Sequence, residues 1–274
     1  MCGIAGLLRP ADREIGLIER MVDVQAHRGP DDRGVEAIDL GDHRLALGSR
    51  RLAILDLSSS GHQPMVNPDT DDVLVYNGEI YNYLDLRKEL QSVGYHFRGD
   101  GDTEVLLRAY EEWGPGCVER LHGMFGFGVW DAQRRILVLA RDHLGIKPLY
   151  YRRQKDEFVF ASETKALSAF ADGLSTQGVA GFLAYGSVPE PLTIYQGIET
   201  LPPGSLMEVD ESGEIVSTKT YWEFPRPSGD GEGSIEEGRE LLTIAIGRHL
   251  RSDVPLGVFL SSGLDSTAIA GFAQ

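Results

Sequence analysis

Cys2 directly follows the initiator methionine, in Met1-Cys2-Gly3-Ile4-Ala5-Gly6. Removal of Met1 leaves two reactive groups on one residue: a thiol that attacks carbonyl carbon and a free α-amine that moves the proton. An α-amine titrates near ~8 and a thiol near ~8.5, so both lie close to working pH without extensive tuning. The backbone then supplies its own general base. If Met1 stays attached, its peptide bond removes that basicity from Cys2. A thiol working on an amino-acid amide needs three further kinds of group. These are a guanidinium for the α-carboxylate, carboxylates for the α-ammonium, and donors for the oxyanion of the tetrahedral intermediate. Candidates stand in three blocks: Arg50-Arg51-Leu52-Ala53-Ile54, Tyr76-Asn77-Gly78-Glu79-Ile80-Tyr81-Asn82 and Gly99-Asp100-Gly101-Asp102-Thr103-Glu104. Each also has a plainer reading. Either arginine suits a surface ion pair, Asn77-Gly78 is a common hairpin turn, and Asp102 suits a helix N-cap. His27 and His143 have no partners at metal-ligand spacing and read as structural hydrogen-bonders, and Cys117 as a core residue.

A second chemistry stands near the end, in Gly257-Val258-Phe259-Leu260-Ser261-Ser262-Gly263-Leu264-Asp265-Ser266-Thr267. An apolar strand, a loop of small residues and a helix start together make an anion cradle of backbone N–H groups.

The elements that must position these groups read as mixed strands and helices without a regular βαβ beat. Strands are predicted over Cys2–Leu8, Arg44–Ile54, Asp72–Ile80, Met124–Trp130, Arg135–Arg141, Leu149–Arg152 and Glu157–Ala161, with a closing hairpin of Ser205–Val209 and Glu214–Trp222. Helical spacing marks Glu14–Gln25, Tyr83–Val93 stopped by Gly94, and Thr103–Trp113 stopped by Gly114-Pro115. Separate runs of strands and amphipathic helices favour two packed antiparallel sheets with helices outside. The Pro- and Gly-rich run from Pro225 to Gly233 is the best linker. Beyond it the sequence predicts a helix over Ser234–Arg251 with a Ser234/Glu237 capping box, a strand over Pro255–Leu260 and a helix over Ser266–Ala273. One strand and one helix past the linker do not close a nucleotide-binding sheet, so the second domain reads as the start of something longer.

Of 274 residues, 42% are hydrophobic and 25% charged, as in a globular protein, and the formal net charge of −16 disfavours nucleic acid and anionic membranes as partners. Two cysteines make no disulfide framework, and no run approaches the roughly 20 apolar residues of a membrane span. These readings place the chain in the cytoplasm.

The motifs together carry a resemblance. Cys2-Gly3-Ile4, His27-Arg28-Gly29-Pro30-Asp31, Arg51-Leu52-Ala53-Ile54, Asn77-Gly78-Glu79-Ile80-Tyr81-Asn82 and Arg141-Asp142-His143-Leu144-Gly145-Ile146-Lys147-Pro148-Leu149-Tyr150 are very similar to blocks of the glutamine-dependent asparagine synthetases, in the same order and over almost the whole chain. The resemblance implies an α+β fold: an N-terminal-nucleophile αββα sandwich over residues 2–222, a linker at 223–233, and at 234–274 the beginning of an α/β ATP-pyrophosphatase domain. It implies that Cys2 is the nucleophile, forming a γ-glutamyl thioester and releasing ammonia. Asn77 and Gly78 form the oxyanion hole. Arg51, directly before Leu-Ala-Ile, clamps the glutamine carboxylate, with Leu52, Ala53, Ile54 and Leu55 in backbone contact, and Glu79 and Asp102 hold the α-ammonium.

The later block resembles the Ser-Gly-Gly-x-Asp-Ser loop of ATP pyrophosphatases, which implies ATP contacts at Phe259, Ser261, Gly263, Asp265 and Ser266, with Asp265 near Mg2+. Ser262 replaces the first glycine; a positive φ there would strain its side chain by roughly 1–2 kcal/mol. In the intact enzyme ATP, aspartate, glutamine and water would give asparagine, glutamate, AMP and pyrophosphate, with ammonia passing through an internal tunnel. The glutaminase half-reaction needs no cofactor, and a homodimer stays open. Two rivals remain: a related amidotransferase with another acceptor, in surface-polysaccharide or secondary-metabolite biosynthesis, and a catalytically silent scaffold module.

Overall fold

The structure is a computed structural model and describes residues 1–226 and 233–273. Its strands are β1 (Gly3–Pro10), β2 (Asp32–Asp39), β3 (His43–Arg51), β4 (Met65–Val66), β5 (Val73–Ile80), β6 (Gly123–Asp131), β7 (Ile136–Arg141), β8 (Tyr150–Gln154), β9 (Glu157–Ala161), β10 (Glu199–Thr200), β11 (Ser205–Asp210) and β12 (Ile215–Thr220). The helices are α1 (Leu17–Asp23), α2 (Tyr83–Ser92), α3 (Asp102–Trp113), α4 (Thr164–Leu167), α5 (Thr176–Tyr185), α6 (Ile235–His249) and α7 (Leu264–Phe272). The strands form two six-stranded sheets, ordered β10-β8-β9-β1-β3-β2 and β12-β11-β7-β6-β5-β4, with every named pairing antiparallel.

Side-chain alternation sorts the core into three layers. Ile4 and Leu8 of β1, Leu45 and Leu47 of β3, and Val73 and Val75 of β5 meet Trp130, Leu137 and Leu139 between the sheets. The intervening Ala5 and Leu7 turn outward onto Ile18, Met21 and Val22 of α1 and Leu167 of α4. On the other sheet Leu74 and Tyr76 turn outward onto Leu86 and Leu90 of α2 and Val105, Leu106 and Ala109 of α3. Central strands are covered on both faces, which is why β1 reads as an unbroken apolar run. The result is the αββα sandwich of two antiparallel sheets.

Several boundaries differ from the sequence reading. β5 runs straight through Asn77-Gly78, because β6 continues opposite them (Asn77 against Gly126, Gly78 against Phe125) and the ladder outweighs the local turn preference. β3 ends at Arg51, not Ile54, and α1 is confined to Leu17–Asp23. Gly101, not Asp102, is the N-cap of α3; Asp102 is the first helical residue. The sequence does not predict β2 or α5, β2 because half of Asp-Arg-Gly-Val-Glu-Ala-Ile-Asp, at a sheet edge, is charged.

Beyond the sandwich, Ser234 caps α6, its Oγ accepting from the Glu237 amide at 3.0 Å. The expected linker at 223–233 lies partly outside the described residues, at 227–232. The predicted strand Pro255–Leu260 is not formed, since no described strand lies beside it to complete a ladder, and Leu256, Val258, Phe259 and Leu260 are exposed. The last helix starts at Leu264, two residues earlier than expected. Among the described residues no helix is long and apolar enough to cross a membrane.

Candidate active site

The pairing of β1 with β3 sets Gly3 against Arg50, so Cys2 leaves the sheet edge beside Arg51 and Leu52. The Leu52 amide donates to Cys2 Sγ at 3.4 Å. Arg28 Nε donates to the Cys2 carbonyl at 2.8 Å and Nη1 to Glu163 at 3.1 Å, while Asp31 accepts from the Ala53 amide at 2.9 Å. The His27–Asp31 block therefore ties down both the cysteine and the segment after β3. His27 bonds Glu163 at 2.9 Å, a structural contact.

A cavity of about 130 Å³ opens at this point. Cys2, Arg51, Leu52, Ile54, Leu55, Asn77, Gly78, Glu79 and Asp102 all line it; Ala53 does not, its amide being spent on Asp31. The wall also includes Gln63, Tyr76, Thr103, Met124, Lys147 and Met1.

Arg51 is buried and held by main-chain carbonyls alone: Leu55 at 3.0 Å, Ser58 at 3.3 Å, and Asp56. Among the described residues no carboxylate forms a direct ion pair with it, although Asp102 and Asp56 lie near enough to feel its charge, and it lines the cavity. Gly61 lies against the guanidinium, where any Cβ would overlap it. Arg50 instead turns to Asp23 at 2.6 Å, an ordinary ion pair.

The Asn77 side chain is buried, and neither its Oδ1 nor its Nδ2 has a hydrogen-bond partner. A buried amide left unpaired costs about 1–3 kcal/mol, so its position on a cavity wall beside a thiol asks for a polar ligand. Gly78 follows where a Cβ would strike the Met124 carbonyl and the Tyr76 ring.

Opposite lie two acidic groups. The Asp102 carboxylate accepts from Tyr76 Oη at 2.7 Å and from the Ile80 amide at 2.9 Å. Burial pushes its pKa up against those hydrogen bonds. Glu79 is raised from 4.5 to about 7, first by desolvation and then by the neighbouring Asp102 charge, with Lys147 pulling the other way. Such a pair is poised for a cation. Burial also raises the Cys2 thiol, opposed by its backbone bond to Leu52, and lowers the Met1 amine below its ordinary value.

Lys147, buried on the cavity wall, had no assigned role in the sequence, although its block was part of the pattern. Asp142 accepts from the amides of Phe125 (3.1 Å), Leu144 (3.1 Å), Ile146 (2.9 Å) and Lys147 (2.9 Å). Arg141 donates to the carbonyls of Lys147 at 2.8 Å, Gly145 at 2.7 Å and Leu201 at 2.7 Å. The polar residues of that block thus knot a loop that delivers one ammonium to the pocket, where desolvation lowers its pKa. His143 packs edge-on against Phe125, Tyr221 and Trp222, and Cys117 is core.

The residues expected to touch ATP lie elsewhere in the chain, at the start of α7. Ser261 Oγ and Ser266 Oγ are 2.8 Å apart, the Gly263 amide donates to Ser261 Oγ at 3.2 Å, and Gly263 is the N-cap with no side-chain cap. Phe259 is wholly exposed, and Asp265 stands in the first turn of α7. Ser262 is not at positive φ, so the strain expected from its side chain is absent. Among the described residues no cluster of His, Cys, Asp and Glu could hold a metal.

Residues 237–274 match a family described as asparagine synthase. A putative glutamine-hydrolysing asparagine synthetase of Methanocaldococcus jannaschii is 37% identical over 99% of this chain and 56% of its own length. One from Bacillus subtilis is 38% identical over the whole chain and 45% of its own length. The chain thus spans about half the length of these curated relatives. Among solved structures, glutamine phosphoribosylpyrophosphate amidotransferase of B. subtilis superposes with a TM-score of 0.60 at 17% identity, over 99% of this chain and 64% of that one, a likeness of fold. Residues 1–222, the whole sandwich with its cavity, match the glutamine amidotransferase domain, and the chain belongs to that family.

Proposed function

We propose that the Cys2 cavity hydrolyses glutamine and that, in a longer protein, the ammonia amidates aspartate activated by ATP, making asparagine. The observation that carries the first part is the Asn77 amide, buried without a partner on the same wall as the Cys2 thiol and the Arg51 guanidinium. Arg51 takes the α-carboxylate, and Glu79 with Asp102 takes the α-ammonium, which leaves the side-chain amide over Cys2. The thiol adds to that carbonyl while its proton passes to the α-amine of Cys2. Asn77 Nδ2 and the Gly78 N–H receive the oxyanion; one such donor is worth about 3–4 kcal/mol of transition-state stabilisation. Collapse expels ammonia and leaves the γ-glutamyl thioester, which water converts to glutamate.

The second part rests on the match of residues 237–274 and on the relatives. No side chain caps α7, so its first-turn amides suit a phosphate group, with Asp265 beside it for Mg2+. We take residues 2–222 as the glutaminase unit and 234–274 as part of the ATP-using one. Bound ATP supplies the energy to activate the acceptor carboxylate.

The test is glutamate release from protein shown by intact mass to have lost Met1, against Cys2→Ala. Release that depends on Cys2 supports the reading; equal rates in both overturn it.

A further inference from the structure

We infer that residues 249–253, the end of α6 and the segment that follows it, outside the sandwich, position the glutamine-carboxylate clamp, with Asp253 as the positioning residue. The inference rests on the proposed role of Arg51. Four contacts carry it. The Asp253 carboxylate accepts from the Asp56 amide at 2.8 Å, and the Asp253 amide donates to the Ile54 carbonyl at 2.9 Å. Arg251 donates to the Tyr81 carbonyl at 3.0 Å, and the His249 ring lies 4.0 Å from that of Tyr81. Both segments gripped this way emerge from pocket walls. Residues 54–56 follow Arg51 within five positions, and Tyr81 follows Glu79 by two.

Asp56 is the pivot. Its carbonyl and that of Leu55 accept from the Arg51 guanidinium, so wherever the 55–56 backbone goes, the guanidinium follows. Its φ is +52°, a left-handed conformation that a side chain adopts at a cost and that persists only where the surroundings over-determine it. Three groups do so: Ser58 and the Asp100 amide bind the Asp56 carboxylate, and Asp253 binds its N–H. Ser58 and Asp100 belong to the sandwich. Of the three, only the Asp253 contact comes from the other segment, and it is that segment's direct hold on Asp56.

The test uses the 274-residue chain with Cys2→Ala, which holds glutamine unhydrolysed. Calorimetric titration with glutamine compares this parent with the same protein carrying Asp253→Ala or Asp253→Asn. Asparagine keeps an oxygen that accepts from the Asp56 amide. We expect Asp253→Ala to raise the glutamine Kd about tenfold, Asp253→Asn to stay within about threefold, and the melting temperature to hold, because Asp253 is exposed. Hydrogen exchange at the Asp56 amide should quicken in the alanine variant and not in the asparagine one. A Kd for Asp253→Ala equal to the parent's overturns the inference. A parent that gives no saturable heat overturns the glutamine reading itself. The exchange measurement then stands alone: unchanged protection at Asp56 overturns the contact as a positioning device, and its loss supports it.

Discussion

Glutamine binding should release a proton near neutrality, and Glu79 should be its source. In the empty pocket desolvation and the Asp102 charge hold the Glu79 carboxyl at about 7, against 4.5 for a free side chain. Half of the molecules therefore carry a proton there at pH 7. An α-ammonium placed against the carboxylate lowers its pKa by roughly 2 units, within the range for close opposite charges. With a free value near ~7 and a bound value near ~5, the ligand displaces about half a proton at pH 7 and almost none at pH 8.5. The same two values make glutamine bind about tenfold more weakly at pH 6 than at pH 8. Calorimetric titration of the Cys2→Ala protein in buffers of different ionisation heat reads both quantities. Glu79→Gln should abolish the release and flatten the profile. Lys147→Met should move the midpoint above pH 7, because the lysine ammonium is the group holding the carboxyl down.

The sign for folding is opposite to the familiar carboxylate case. A pKa raised by the fold means the native state takes up a proton between pH 4.5 and about 7. Stability from the protonated form is complete below the unfolded value and lost as pH climbs through the folded one. Glu79→Gln should therefore match the native chain at pH 4 and exceed it above pH 7, by about 1–2 kcal/mol once the shift is discounted for solvent screening. A pH-independent glutamine Kd between 6 and 8, or the same slope surviving in Glu79→Gln, would refute the reasoning.

Three further outcomes follow from the geometry. Arg51→Lys should raise the glutamine KM by about 10–100-fold with a smaller change in kcat, since a single ammonium loses the planar fork and its hold on the carbonyls of residues 55–58; steady-state kinetics on Met1-processed protein reads it. Asn77→Ala should lower kcat by about 100–1000-fold with little change in stability, because no protein group bonds the native side-chain amide; single-turnover glutamate release paired with urea unfolding separates the two. Tyr76→Phe should cost about 1–3 kcal/mol in urea unfolding, because it strips one of the two hydrogen bonds that make the buried Asp102 carboxylate tolerable.

The sandwich was legible because its central strands are covered on both sides. β1, β5, β6, β7 and β9 announce themselves as apolar runs, and two helices between them carry a one-sided stripe. What escaped is what depends on neighbours. β2 is an edge strand whose Asp, Arg and Glu side chains face solvent, so no alternation marks it; pairing with β3 makes it a strand. Conversely, Pro255–Leu260 has the composition of a buried strand and no described strand beside it, so composition alone does not produce a ladder. Asn77-Gly78 shows the same competition within one element. Locally the dipeptide prefers a turn, yet eight paired residues between β5 and β6 hold it extended.

That competition also explains how much of the site could be read. Cys2 just before β1, Arg51 at the end of β3, Asn77 and Glu79 within β5 and Asp102 at the start of α3 share one cavity, and polar side chains that interrupt apolar strands are visible in the sequence. Lys147 was not visible in this way. It lies in a loop, and what brings it inside is an Asp142 carboxylate bound to four amides and an Arg141 guanidinium bound to three carbonyls. Such a knot has no period, only a set of polar residues whose partners are mostly main chain, Glu190 on Arg141 apart. The same holds for Asp56, which reaches Arg51 through a carbonyl and is itself held from residue 253. Groups that touch the ligand leave their mark in residue type; groups that aim them work through backbone atoms that every residue has, and only the folded chain shows which ones are used.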